Sequence, residues 1–454
     1  MKKTALIIFI ILSLLSSLQA QETQSYTLDT CKKLALTNNA KVKNAALEIK
    51  SAEQTKKAAF TKYFPSVSAM GNAFQSDQSL VDVNLSDVDV NISFEDQRLN
   101  DILQTLYSDY GAYLPKASVN FQMMEKGLLG GVTAIQPVFA GGRIVKGNQL
   151  ANLGIKAANY QYDIAKDELL MHTEQSYWLI VSLQEKLKTV EMAEKLLDTL
   201  YKDANGAYQS GIVLQNDLMK VKLKQNELSS NRLKVENGIT LAKMALCQYI
   251  GIAYSEQFRL SDSIENLIAP WKYKTSHEAA VVNRPEYKLL NLSVEAEHLK
   301  KQMLIGETLP QVGVGAAYLY NNLMGKNNIN SLVFATVKVP ITGWWEASHN
   351  IKKQEIQEEV TQNNRNDLSE MLLLQMQQSW NEVDEAYRQV QLAEESIKDA
   401  KENLKKSNDY YLAGMCTVSD VLQSQTLLQQ SCDQYTDFRI QYKIKLANYL
   451  QMTQ

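Results

Sequence analysis

The chain has 454 residues, of which 21% are charged and 45% are hydrophobic, and its formal net charge is −3. A charge this close to neutral argues against nucleic acid as a partner. The four histidines are scattered, and the sequence contains no phosphate-binding loop or nucleophile motif, so it predicts no metal, no cofactor and no enzyme.

The first 20 residues have the pattern of a secretory signal peptide. A basic start, Met1 to Lys3, precedes an apolar run from Ala5 to Leu15, and small residues end at Ala20. We expect cleavage after Ala20, which sends the mature protein to the periplasm of a Gram-negative cell or out of the cell. No later stretch of 18 apolar residues follows, so the sequence predicts no membrane-spanning helix.

Hydrophobic periodicity and the positions of the seven prolines divide the remaining chain into segments. The predicted segments are the N-terminal periplasmic helix (21–64), a first β-hairpin with a long extracellular loop (65–140), a first long helical hairpin (141–252), a connector (253–275), the helix of a second repeat (276–309), a second β-hairpin (310–342) and a second long helical hairpin (343–454).

Four runs of about ten residues alternate apolar and polar side chains with the period of a β-strand. In the last run, Val333, Ala335 and Val337 share one face, and Thr336 and Lys338 share the other. About ten residues is the length of a tilted strand that crosses a bilayer. We therefore predict membrane strands, with Lys338 facing a lumen rather than lipid.

Two stretches without proline, 144–208 and 347–412, predict helices on the order of 100 Å long. Shorter helices, 217–250 and 420–449, are expected to return antiparallel to them. The same offset of 203 residues separates three pairs of matching positions, which predicts two copies of one structural unit. These pairs are Pro137 and Pro340, Gly211 and Gly414, and Asp217 and Asp420.

Four strands cannot close a membrane barrel, and an open sheet in lipid leaves backbone N–H and C=O groups unpaired at its edges. Three chains would supply a closed barrel of twelve strands. The predicted fold class is therefore a mixed membrane β-barrel and long α-helical barrel, with two structural repeats and four strands per chain in a trimer.

Several motifs resemble the TolC-like outer-membrane efflux family over residues 26–454. Pro137 to Arg143 looks like that family's strand-to-helix junction, and Val339 to Trp345 is similar to the second junction. Tyr208-x-x-Gly211 and Tyr411-x-x-Gly414, each followed by an apolar helix start, resemble its two helix–turn–helix tips.

The resemblance implies a homotrimeric export duct in the outer membrane with a periplasmic extension. Its partners would be a periplasmic adaptor protein, an inner-membrane pump and outer-membrane lipid, and its cargo small toxic compounds that pass through without chemistry. A duct for type I protein secretion has the same fold and stays open as an alternative. A periplasmic coiled-coil scaffold without a pore is the alternative from a different class, and the alternating strands argue against it.

The resemblance also implies a closable periplasmic entrance at the tips, where the family places rings of acidic residues. Asp420 falls at one such position, whereas Gln423 stands where a second aspartate is expected and Cys416 where a basic residue often stands. Asp217 is the matching position of the first tip. The alternative is that Asp217 and Asp420 are first-turn residues that the helix dipole favours.

The remaining predicted site residues fall into three groups. Gly211 and Gly414 are expected in left-handed turns, which would present Ile212, Val213, Met415 and Thr417 to an adaptor. Trp344, Trp345 and Phe139 are predicted membrane-interface anchors, with helix packing as the alternative for the tryptophans. The strand-to-helix junctions are assigned to Pro137, Gly141, Gly142, Pro340 and Gly343.

Overall fold

The computed structural model describes residues 25–75, 126–211, 213–264, 267–322 and 327–453. The predicted signal peptide, most of the predicted first loop and Ile212 lie outside the described residues. The chain divides into two compact units. The helical unit lies within Met1–Glu48, Asn159–Leu289 and Asp367–Gln454, and the sheet unit within Ile49–Ala158 and Leu290–Asn366.

The described elements follow the predicted order of two repeats. They are β1 (Ser25–Tyr26), α1 (Leu28–Asn38), α2 (Ala40–Phe60), β2 (Ser66–Gln75), β3 (Lys126–Ala140), α3 (Arg143–Gln209), α4 (Gln215–Ile250), β4 (Arg259–Leu260), α5 (His277–Val281), α6 (Pro285–Glu307), β5 (Gln311–Asn322), β6 (Asn328–Lys338), α7 (Gly343–Leu412) and α8 (Val418–Thr453), with short 3₁₀ turns at Thr61–Tyr63 and Pro270–Tyr273.

Four antiparallel strands form the sheet of the sheet unit in the order β2-β3-β5-β6, so β2 and β6 are its edges. The first β-hairpin was predicted to end at residue 140, and β3 runs through Pro137 to Ala140. Its register with β5 shifts between Pro137 and Phe139. Proline cannot donate a ladder hydrogen bond, and a bulge accommodates it inside a strand.

One face of this sheet is apolar and exposed. Val333 is 86% exposed, and Val337 and Val67 are each 67% exposed. Thr336 and Lys338 lie on the opposite face, as the alternation predicted. On that face the ring of Phe334 lies over Gly315, where an added Cβ would come within 2.5 Å of it. An apolar surface of this kind is typical of a site that meets lipid or another protein.

The predicted N-terminal helix is divided in two, because Asn39 leaves the helical conformation (ψ 134°) between α1 and α2. Its side chain makes this break favourable. The Asn39 Nδ2 group donates to the carbonyl of Tyr249 at 2.9 Å, and Oδ1 accepts from the Lys41 N–H at 2.8 Å. The break thus attaches the start of the chain to the end of α4.

The helices of the two repeats have nearly the predicted bounds. The long helices α3 and α7 contain 67 and 70 residues, and α4 and α8 contain 36 each. Within the described part of the chain, no helix combines the length and apolarity that crossing a membrane requires. The structure also leaves all four cysteines unpaired.

A hydrogen-bonded crossing ties the start of the chain and the connector to α3. The Tyr177 hydroxyl, on a fully buried ring, donates to the carbonyl of Tyr26 and accepts from the N–H of Asp262, each at 3.1 Å. Strands β1 and β4 pair in parallel beside it. Burial raises the pKa of the Tyr177 hydroxyl, so it stays protonated and can make both bonds.

A buried acid on α8 predicts how the stability of the helical unit depends on pH. Asp433 has a buried carboxyl oxygen without a hydrogen-bond partner in the described structure. The neighbouring Asp437 carboxylate instead accepts from Lys186 Nζ at 2.8 Å and from Ser182 Oγ at 3.3 Å. Desolvation raises the Asp433 pKa to about 6, with Lys186 opposing the shift and Asp437 adding to it.

We expect Asp433→Asn to raise the free energy of unfolding at about pH 7.5 by about 1–2 kcal/mol. The folded pKa lies above the unfolded value near 3.9, so the wild type gains stability as the pH falls from about 7 to about 4, and the variant lacks this gain. Thermal unfolding followed by circular dichroism measures both. The matched control, Asp437→Asn, removes a paired carboxylate and should lower stability. Equal pH profiles for wild type and Asp433→Asn would contradict the assignment.

Candidate functional site: the helix–turn–helix tips

Both helix–turn–helix tips reverse the chain at a glycine with positive φ, Gly211 (75°) and Gly414 (71°). The N–H of each glycine donates to the backbone carbonyl of the tyrosine three residues earlier, at 2.9 Å in the first tip and 3.0 Å in the second. At the second tip, the Met415 N–H also donates to the Tyr410 carbonyl at 2.8 Å. This is the Schellman arrangement, in which glycine avoids the strain of a left-handed residue.

The second tip begins its returning helix with a reciprocal hydrogen-bond pair. The Asp420 carboxylate accepts from the Thr417 N–H at 2.8 Å and from the Thr417 hydroxyl at 2.7 Å, while the Asp420 N–H donates back to Thr417 Oγ1 at 3.3 Å. This is a capping box with aspartate in the usual glutamate position. The bonds from Thr417 hold the pKa of Asp420 below its usual range.

The first tip has a different polar arrangement, which joins it to the second. Leu214 occupies the position before α4 and provides no side-chain cap. Asp217, in the first turn, pairs with Lys220 at 3.1 Å. The same Lys220 ammonium donates to Ser419 Oγ at 3.0 Å across the two tips. Sequence reasoning missed Lys220, although its i,i+3 spacing from Asp217 indicates a helix ion pair.

Apolar packing beneath this link also joins the two tips. A buried cluster contains side chains from both, with Tyr411 packed against it: Ala193, Leu197, Leu200, Ala204, Val221, Leu228, Val418 and Val421. The Tyr411 hydroxyl is buried without a hydrogen-bond partner in the described structure. Burial, followed by the nearby carboxylates Asp203 and Asp217, raises its pKa. The Tyr411 hydroxyl therefore stays protonated at the boundary between the two tips.

The ends of the tips are apolar and exposed. Met415 is 68% exposed, as the sequence suggested, and Thr417 and Gln423 are exposed beside it. Val213 is half-buried. Two further exposed leucines, Leu214 (72%) and Leu412 (66%), were missed. Because they fall at the turn ends of amphipathic helices, periodicity assigns them to no particular face.

The first strand-to-helix junction depends on a close contact between Gly141 and Gly306. Gly141 and Gly142 have φ of 62° and 76°. A Cβ on Gly141 would collide with the backbone of Gly306 at the end of α6, and a Cβ on Gly306 would collide with the Gly141 carbonyl. Beside them, Arg143 and Glu307 form an ion pair at 3.2 Å. Only residues without side chains fit this crossing.

At the second junction, α7 begins at Gly343, three residues after Pro340. The Trp344 Nε1–H donates to the Thr308 carbonyl at 2.9 Å, which is a packing contact within the sheet unit. Trp345 is 77% exposed. In the first repeat Phe139, next to the bulge at Pro137, is 46% exposed. Trp345 and Phe139 are thus available to a membrane interface, and Trp344 has a second, structural role.

In the ranges that the structure describes, no group of three or more His, Cys, Asp or Glu side chains could hold a metal ion. The tips and junctions therefore offer turns, caps and one polar link.

The family assignment follows from a match over most of the chain. Residues 32–252 and 301–453 match the family described as outer membrane efflux protein. The chain belongs to this family. Proteins of the outer membrane efflux family are outer-membrane channels with a periplasmic extension and act as non-enzymatic conduits. The family's channels form homotrimers that work with adaptor and inner-membrane pump partners.

Solved structures show the same fold at low sequence identity. The CmeC outer membrane channel of Campylobacter jejuni is 13% identical, with a TM-score of 0.73 over 94% of this chain and 85% of CmeC. VceC of Vibrio cholerae is 14% identical, with a TM-score of 0.71 over 94% and 96%. The open MtrE channel of Neisseria gonorrhoeae is 11% identical, with a TM-score of 0.70 over 94% and 88%. No curated protein matches the sequence significantly.

The capping box predicts that removing the Thr417 side chain lowers the stability of this efflux-family protein. Thr417→Ala removes the hydroxyl that accepts from the Asp420 N–H and donates to the Asp420 carboxylate, while the bond from the backbone N–H of residue 417 stays. We therefore expect the free energy of unfolding to fall by about 1 kcal/mol. Thermal unfolding measures the change. Thr426→Ala is the control, because the Thr426 hydroxyl bonds only to the Leu422 carbonyl inside the same helix. Equal effects of the two substitutions would show that the cap contributes nothing specific.

The contact between Gly141 and Gly306 leaves no room for a methyl group on Gly306. Gly306→Ala should destabilise the protein by about 2 kcal/mol or more, because the new Cβ meets the Gly141 carbonyl and comes within 2.8 Å of Arg143 Cγ. In contrast, Gly154→Ala in α3 adds a Cβ with no heavy atom within 4 Å and should stabilise by about 0.5–1 kcal/mol. Denaturation midpoints of both variants test this pair, and a stable Gly306→Ala protein would contradict the packing described.

Proposed function

We propose that three copies of this chain form the outer-membrane duct of a tripartite efflux pump, a passive conduit for small toxic compounds. The duct works with a periplasmic adaptor and an inner-membrane pump, and the mature chain begins near Gln21 after cleavage at Ala20. The single observation that carries this proposal is the four-stranded sheet with two free edges and one exposed apolar face.

The sheet supports a shared barrel in two ways. Among the described residues, the edge strands β2 and β6 have one partner each, and unpaired backbone groups in lipid cost several kcal/mol apiece. Pairing β6 of one copy with β2 of the next satisfies both edges, and three copies give twelve strands. The valines of the exposed face then meet lipid, which is the environment that such a surface favours.

The tips support a periplasmic entrance that opens and closes. Lys220 joins Asp217 of the first tip to Ser419 of the second, while the buried cluster holds the helices below the link. In a trimer, three copies of Asp420 would surround the entrance as an acidic ring. A ring of carboxylates attracts cations.

The exposed turns support the partner assignment. Met415, Leu412 and Leu214 present apolar side chains at the ends of the hairpins, next to the turn glycines. A small exposed apolar surface on a rigid turn is the kind of site to which an adaptor protein binds. Val213, Ile212 and Thr417 complete the proposed contact, and Trp345 and Phe139 are the proposed anchors at the membrane interface.

Planar bilayers and a deletion strain test the proposed duct. We expect the purified protein to form cation-selective channels and Asp420→Asn to weaken block by divalent cations. We also expect a strain that lacks the chain to be hypersensitive to small toxic compounds while protein secretion stays normal. Lost secretion with normal resistance would favour the type I secretion duct. A soluble periplasmic protein without conductance would favour the scaffold and contradict the proposal.

The link between the tips predicts a gating variant. Lys220→Ala removes both the bond to Asp217 and the bond to Ser419, so we expect an about two- to tenfold rise in the resting open probability, as for the loss of one or two charge-assisted bonds. Lys224→Ala is the matched control one turn further along α4, because Lys224 pairs only with Glu227. Single-channel recording distinguishes them. Unchanged gating in Lys220→Ala would contradict the role of the link.

A further inference from the structure

The connector carries an exposed tryptophan that the proposed duct does not use. Trp271 is 64% exposed and Ile268 is 52% exposed, and Lys272 and Lys274 are exposed on either side of Tyr273. We call Ile268, Trp271, Lys272 and Lys274 the connector patch. All four belong to the helical unit.

The patch is held in a fixed position. Pro270, directly before the tryptophan, is buried and starts a 3₁₀ turn. The Tyr442 hydroxyl donates to the Ile268 carbonyl, and the edge of Tyr387 meets the Trp271 ring with centroids 5.7 Å apart. The connector thus presents the indole without the entropy that ordering a loose loop would cost on binding.

The charge beside the indole is positive, and no carboxylate among the described residues pairs with it. Lys272 has no ion pair or hydrogen bond within the described part of the chain. Lys274 lies over the Trp380 ring at 5.3 Å from its centroid and has no carboxylate partner among the described residues. An anionic group therefore meets two ammonium groups here that no carboxylate of the described residues occupies.

The size of the patch decides what kind of partner it fits. A stable protein interface takes about 800 Å² from each side and some 20 residues or more. The connector patch offers two apolar side chains and two amines. One flat indole with flanking ammonium groups instead matches a sugar ring, whose C–H face stacks on an aromatic ring, and a carboxylate that lies close to that ring.

We propose that the connector patch binds the cell-wall polymer, in which sugar chains carry short peptides with free carboxylates. The proposal rests on the periplasmic position that the proposed function gives to the helical unit. Trp271 stacks on a sugar ring, and Lys272 and Lys274 pair with carboxylates. Binding there would fix the duct to the wall.

Co-sedimentation with purified cell-wall sacculi tests the proposal on the full-length protein in detergent. We expect the wild type to sediment, and Trp271→Ala to bind about tenfold more weakly, as for a central aromatic anchor. Lys272→Glu should weaken binding further as salt is lowered, since the introduced charge repels the carboxylates. Leu241→Ala, which removes a comparably exposed apolar side chain (66%) elsewhere in the helical unit, is the matched control and should bind as the wild type does.

Three results would overturn the proposal. These are no sedimentation of the wild type, equal binding of Trp271→Ala and wild type, and equal binding of the wild type to uncharged cellulose particles. Loss of the oligomer in Trp271→Ala on a native gel would assign the patch to a subunit contact instead and would also overturn it. Conductance of Trp271→Ala is expected to stay normal, so failure of this proposal can be told apart from failure of the proposed duct.

Discussion

Backbone hydrogen bonding at the two open edges of the sheet is the constraint on which the proposed assembly depends. Inside the described chain, β2 and β6 each pair with one strand only. Water could satisfy the remaining N–H and C=O groups, but the exposed valines beside them favour a medium without water. A second copy that supplies the missing strand satisfies the backbone hydrogen bonds and leaves the valines in an apolar medium. Trimerisation is then a condition of membrane insertion.

The two repeats have the same backbone turn at their tips, but different side chains stabilise it. Both tips turn at a left-handed glycine, 203 residues apart, with the same bond to a preceding tyrosine. At the start of the returning helix, however, the second repeat has the Thr417 cap and the first has Leu214 without a cap. Lys220 of the first tip compensates by bonding to both tips. The weaker helix start is thereby tied to the stronger one.

The sequence predicted the elements well where a period or a breaker determined them. The strands follow from the alternation of apolar and polar side chains, and the long helices follow from the absence of proline. The turns follow from glycine, which adopts a left-handed conformation readily. The sequence could not predict the register shift between Pro137 and Phe139, because a bulge depends on the partner strand. The break at Asn39 depends on the distant Tyr249 carbonyl, and the Lys220–Ser419 bond joins residues 199 positions apart. Contacts between distant segments leave no period in the sequence.

The molar mass of the protein extracted from outer membranes tests the central claim most directly. Light scattering in mild detergent, with the detergent contribution subtracted, should give three chains per particle, and hydrogen exchange in those particles should find the outward amides of β2 and β6 protected. A stable particle of one chain, with these edge amides exchanging freely, would contradict the account.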